Sequence, residues 1–89
     1  MMKVTGVQRS KGTYQGRDYD NYNIHGLTPF DAESASGHRA EVIKIKRTTL
    51  EELLEKIPTD KEMFAWIGKD VMFYFDKYSN VMHFEMGGQ

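Results

Sequence analysis

Among the 89 residues there is no cysteine. Disulfide frameworks and cysteine-based zinc sites are thereby excluded, and a reducing, intracellular compartment is the expectation. No apolar run approaches the roughly 18 residues that span a bilayer. The opening MMKVTGVQRSKG also lacks the apolar core of a signal peptide. A cytoplasmic protein with no membrane partner is expected. Acid is missing from the first seventeen residues, which carry Lys3, Arg9, Lys11 and Arg17. Proline occurs only twice, at Pro29 and Pro58, so few points of the chain are barred from regular structure.

What is present fits one small globular domain. Eighty-nine residues cannot supply two cores with enough apolar surface to offset chain entropy. The chain is 39% hydrophobic and 28% charged, ordinary for a folded domain. The domain is expected over residues 1–86, with 87–89 as a flexible tail. The net charge of −1 hides an asymmetry: residues 1–47 hold eight Lys/Arg against five Asp/Glu, and residues 48–89 hold four against eight. Halves of +3 and −4 can orient a polyanion toward one face.

From Lys3 to about Tyr14 the chain alternates loosely. Val4 and Val7 are its apolar anchors, and their odd spacing demands a bulge or twist, which Gly6 is placed to supply. Gln15-Gly16-Arg17-Asp18 forms a turn, with Gly16 free to take positive φ. Tyr19 to Leu27 returns as a second strand, with Tyr22 and Ile24 on one face and Tyr19, Asn21, Asn23 and His25 on the other. Thr28 to His38 is a loop by composition. Arg39 to Arg47 is a third strand, its Ile43 and Ile45 opposite Val42, Lys44 and Lys46. Thr48 or Thr49, each with a glutamate three residues on, caps a helix whose stripe is Leu50, Leu53, Leu54 and Ile57. Pro58 ends it. A helical turn in TDKEMFAWIG brings Met63, Phe64, Trp66 and Ile67 over one end of the sheet. Lys69–Phe75 and Val81–Met86 form the last hairpin, with Met82, Phe84 and Met86 on one face.

The order β-β-β-α-β-β makes the chain mainly β with one helix. It predicts an OB-fold-like, five-stranded, partly open barrel, since closure removes the edges that a flat sheet of polar strands exposes. The alternative is an α+β sheet packed on one helix.

For catalysis the residues make no positive case. His25, His38 and His83 lie on separate elements without ligand-like spacing, so no metal site or cofactor is expected. KGTYQG lacks the Lys-Ser/Thr ending and strand-to-helix context of a phosphate-binding loop, and no nucleophile motif occurs. A non-catalytic protein is expected. Single-stranded nucleic acid, by contrast, needs cations along its phosphates and exposed rings under its bases. The first hairpin offers Tyr14 and Tyr19 among Arg9, Lys11 and Arg17. Lys44 and Lys46 lie on the outward face of the third strand, and Tyr78 lies in the loop between the last two strands. Tyr22, sharing a face with Ile24, belongs to the core.

VTGVQRSKGTYQGRDYDNYNIH, and GRDY at residues 16–19 above all, resembles the opening hairpin of small OB-fold single-stranded-DNA-binding proteins of phage and mobile-element type. The likeness covers about a third of the chain. It implies cooperative binding to single-stranded DNA, usually as a dimer, with Lys11 and Arg17 on phosphates and Tyr19 stacking. The helix after the third strand and the net acidity depart from that family. A second expectation is a protein-interaction or assembly module of a phage or conjugative element, working as a homodimer or on a protein partner through its exposed strands or through Met63, Met72, Met82 and Met86.

Overall fold

The computed structural model describes residues 1–87. Its elements are β1 (Met2–Tyr14), β2 (Arg17–Pro29), β3 (His38–Lys46), α1 (Arg47–Leu54), α2 (Asp60–Phe64), β4 (Asp70–Phe75) and β5 (Val81–Met86). All strand pairs are antiparallel, in the order β3-β2-β1-β4-β5.

β1 and β2 form the long hairpin that alternation predicts. Gln15 (φ 52°) and Gly16 (φ 76°) both take positive φ, and Tyr14 pairs with Arg17 across this two-residue turn. Its handedness matches the strand twist. Val4 pairs with Gly26 and Gly6 with His25, so Thr5 is the extra residue of a bulge. The bulge brings both Val4 and Val7 to the side of Gly26 and Ile24, as their odd spacing requires. Gly26 answers a different need: a Cβ there would stand 2.5 Å from Met2 Cγ and 2.6 Å from the Lys3 carbonyl. Buried Met2 crosses the strand where only glycine leaves room.

The core lies on the inner side of the sheet. Tyr22, Ile24, Ile45, Leu50, Met63 and Val71 are fully buried there, each apolar side chain contributing about 1.5–3 kcal/mol of transfer free energy. Trp66 adds its ring against Phe84, with centroids 5.0 Å apart.

Three sequence expectations need correction. The sheet does not close into a barrel: among the described residues no ladder joins β3 to β5, which are its two edges. α1 leaves β3 directly at Lys46 and packs against both edges, holding them apart as the walls of a cleft of about 680 Å³. The helix boundaries shift as well. α1 begins at Arg47 with Lys46 as N-cap and no side-chain cap, so neither Thr48 nor Thr49 caps it, and it ends at Glu55 in the left-handed region (φ 59°). Ile57 therefore falls beyond the helix and is 66% exposed. The capping box belongs to α2, where Thr59 Oγ1 accepts from the Glu62 N–H at 3.1 Å. In the last hairpin Tyr74 pairs with His83 but Phe75 pairs with Val81, leaving Met82 unpaired. That slip buries Val81 and turns Met82 outward, away from the face expected for it.

Just past β5, the Gly87 N–H donates to the Asp70 carbonyl at 2.6 Å. The remainder of the expected tail, Gly88 and Gln89, lies outside the described residues. No helix among the described residues is long and apolar enough to cross a membrane.

Candidate nucleic-acid interface

Residues directly opposite in an antiparallel pair share a face, so the ladders sort the hairpin's side chains. On the inner side lie the pairs Val7–Ile24, Arg9–Tyr22, Lys11–Asp20 and Thr13–Asp18. On the outer side lie Gln8–Asn23, Ser10–Asn21, Gly12–Tyr19 and Tyr14–Arg17. The β2–β3 ladder continues that outer face through Lys46 beside Asn21 and Lys44 beside Asn23. Tyr14, Arg17, Tyr19, Lys44 and Lys46 thus stand together on one exposed surface. Tyr14 is 68% and Tyr19 41% exposed.

The charged side chains that the register assigns to this face are all cations. Asp18, Asp20 and Glu41, which are all the carboxylates of β1–β3, project inward, as their pairing with Thr13, Lys11 and Gly26 requires. A depression of about 530 Å³ opens between Tyr14, Tyr19 and Lys44, with Ser10, Asn21 and Asn23 as its polar lining. A neighbouring hollow joins Tyr14 and Tyr19 to Arg17, with Asp18 also on its border. A third runs past Lys44 and Lys46 to Arg47, bordered by Asp18 and Asp20 of β2 and by Glu51 of α1.

Arg9 and Lys11 lie apart from this group, on the inner side. Arg9 is tied down: Nε and Nη2 donate to Asp20 at 3.1 and 2.9 Å, and Nη1 donates to Asp60 at 3.0 Å. Its guanidinium also stands 5.9 Å from the Tyr22 ring centroid. Tyr22 is buried, as expected, and donates its hydroxyl to the same Asp60 at 2.6 Å. Arg47 completes the group, 3.8 Å from Asp20 and donating to the Pro58 carbonyl at 3.0 Å. The Arg9 hydrogen bond holds the Asp20 carboxyl below the usual carboxylate range. The Tyr22 hydrogen bond, reinforced by Arg9, does the same for Asp60. Burial, then Asp60, pushes the Tyr22 phenol up. This cluster fastens the start of α2 to the hairpin and commits three of the five Arg9 N–H donors to carboxylates.

Tyr78 sits in the β4–β5 turn, 73% exposed, with Lys77 Nζ 5.2 Å from its ring centroid. The turn is rigidified by Asp76, whose Oδ1 accepts from the N–H groups of Asn80 and Tyr78 at 2.9 and 2.8 Å. Those bonds, Asn80 foremost, hold the Asp76 carboxyl low. Asp76, Ser79 and Asn80 form the wall of the β3–β5 cleft opposite Lys44 and Lys46. Tyr78 is therefore carried by a loop next to the cationic strand but contributes to none of the three hollows on the hairpin face.

Two features escape sequence reasoning. Asn21 and Asn23, passed over as polar strand residues, line the central depression. Their alternation with Tyr19 was the available signal. On the outer side of β4 and β5, Tyr74 stacks on His83 with centroids 5.6 Å apart. Glu85, accepting from the Tyr74 hydroxyl, raises that phenol's pKa. No group of three or more potential metal ligands occurs among the described residues. No family model matches the chain, and neither the curated proteins nor the solved structures searched give a match.

Proposed function

We propose that this chain is a non-catalytic module that takes up single-stranded nucleic acid, DNA in the first instance, across the outer face of β1–β3. The observation that carries the proposal is the sorting of charge by register. Arg17, Lys44 and Lys46 share the outer face with the exposed rings of Tyr14 and Tyr19, while Asp18, Asp20 and Glu41 are paired on the inner side. Asp18 and Asp20 reach only the borders of the outer hollows. Cations for phosphates and free rings for bases are the two requirements of single-strand binding. The element order, with a helix between β3 and β4 and the two strand edges facing across a cleft, supports an OB-like architecture left open between β3 and β5. In such an architecture the second and third strands form the binding face and the loops between strands one and two and between four and five flank it. On this reading Arg17, which opens β2, and Tyr78, in the β4–β5 turn, would flank that face.

Fluorescence anisotropy of a labelled oligonucleotide titrated with the protein tests the reading. Three phosphate-contacting cations give a slope of log K against log salt of about −2 for a single strand. Absence of binding at low salt overturns the proposal. A duplex of the same length should bind more weakly, because its bases are not free to stack.

A second reading rests on the edges. β3 and β5 leave backbone groups unpaired along the cleft, and Met82 and Met86 are exposed beside one of them. Open edges pair readily with other chains, which supports self-assembly or docking of a protein strand. Light scattering after size exclusion separates the two: a stable dimer without oligonucleotide affinity favours the second.

A further inference from the structure

Gly12 stands in the interior of β1, where glycine weakens a strand for want of a side chain to pack. Its φ is not positive, unlike those of Gly16, Gly37 and Gly68, so no turn requires it. Its explanation lies across the ladder. A Cβ at Gly12 would stand 2.9 Å from the Tyr19 hydroxyl, 3.1 Å from Cζ and 3.4 Å from Cε1. The far end of the ring thus occupies the space directly above the Gly12 Cα, while 41% of the residue remains exposed. The ring lies down against the strand instead of standing up from the sheet, and it borders the depression formed with Tyr14, Ser10, Asn21, Asn23 and Lys44.

We propose that Gly12 is a positioning residue for a preformed nucleobase seat. By yielding its side-chain space it holds Tyr19 down as a stacking platform, beside amides and a hydroxyl able to hydrogen-bond the edge of one unpaired base. The inference rests on the single-strand reading above and deepens it. A platform fixed before binding loses less rotamer freedom when the base arrives. Ala at position 12 meets only the movable end of a tyrosine, so the strand tolerates it and the ring is lifted.

The test compares Gly12→Ala, Tyr19→Ala, Tyr19→Phe and the unaltered protein in anisotropy titrations. The probes are an oligothymidylate and an abasic strand of equal length and charge. Circular dichroism melts verify that the variants fold. The expected result is a loss of about tenfold for Tyr19→Ala, within the range of one lost base–aromatic stack, and a smaller loss in the same direction for Gly12→Ala. Tyr19→Phe retains affinity, and all four proteins bind the abasic strand alike. If Tyr19→Ala loses affinity but Gly12→Ala does not, the positioning role is overturned and the platform stands. If both variants bind the base-bearing strand like the unaltered protein, the seat is overturned while single-strand binding survives. If the unaltered protein binds neither strand, the underlying reading fails. Should Gly12→Ala melt far below the others, the double variant Gly12→Ala/Tyr19→Ala decides: a seat of this kind leaves it no weaker than Tyr19→Ala alone.

Discussion

The two faces of the first hairpin are built from the same materials and put them to opposite uses. On the inner side a tyrosine and an arginine, Tyr22 and Arg9, pair directly across the ladder and are consumed by Asp20 and Asp60. On the outer side Tyr14, Tyr19 and Arg17 make no hydrogen bond or ion pair with a carboxylate among the described residues; Asp18, which borders their hollow, accepts from the Thr13 hydroxyl at 2.7 Å instead. Tyr19 and Tyr22 are three residues apart, an odd number, which in a period-two strand assigns them to opposite sides. Composition alone gives the hairpin its basic and aromatic character. Parity decides which of those residues hold the fold together and which remain available to a ligand.

Substitutions that break this comparison should do so asymmetrically. The largest effect is expected from Tyr22→Ala, which empties a fully buried ring position and strands Asp60. By analogy with other large aromatic truncations it should cost about 3–5 kcal/mol, read from chemical denaturation. An unfolding free energy within 1 kcal/mol of the unaltered protein would show that the inner face is not the structural one. Acid is the next probe. Asp20 and Asp60 are held below their ordinary values in the fold, so their ionised forms stabilise it above the unfolded carboxylate range. That contribution is lost as pH falls from about 5 through the depressed values. Melting temperature should drop over that interval, and Asp20→Asn/Asp60→Asn should flatten the drop. Equal slopes in both proteins would remove the cluster from the account.

Crossing the two arginines sharpens the contrast. Arg9→Ala should lower the melting temperature while changing oligonucleotide affinity little. Arg17→Ala should leave stability within about 0.5 kcal/mol and reduce the salt slope of binding by about 0.7. A reversed pattern would assign the faces the other way. Tyr78→Ala should have the smallest effect, a loss of affinity below that of Tyr19→Ala. Its ring already has Lys77 over it and lies outside the hairpin's hollows. A loss as large as that of Tyr19→Ala would extend the interface into the β4–β5 turn.

Much of this was legible from residue order. Val4 and Val7 announce the bulge by their odd spacing, Gln15-Gly16 announces the turn, and the alternation Tyr22–Ile24 against Lys44–Lys46 separates inside from outside. Arg9 was not legible. Its fate depends on Asp60, fifty-one residues away, brought in by α2, and no local pattern encodes that meeting. The start of α1 was misplaced for a similar reason. The Thr48 and Thr49 signals are real, but β3 must carry Ile45 into the core and the chain bends at Lys46 immediately afterwards. Closure of the barrel could not be read at all, because it depends on whether α1 fits between two strand edges. Gly12 and Tyr19 are paired by a register that follows from the Gln15-Gly16 turn, so their contact was within reach of the sequence once the hairpin was counted residue by residue.

The narrow join between β1 and β4 also bears on how the chain folds. The hairpin β1–β2 and the hairpin β4–β5 each close over short loops. Among the described residues they are linked in the sheet at Met2–Val71 and Lys3–Asp70, with Val4 exchanging hydrogen bonds with Lys69 and Gly68 at 2.9 and 2.8 Å. Contacts between residues this far apart in sequence must overcome loop-closure entropy, which sets the pace of folding in β-rich domains. The seam is therefore expected to form late and to open first. Native-state hydrogen exchange should find the amides of Val4 and Gly68 exchanging before those of Ile24 and Ile45. The two hairpins would then be separate cooperative units, joined in the sheet by this short seam and otherwise by α1 and the shared core.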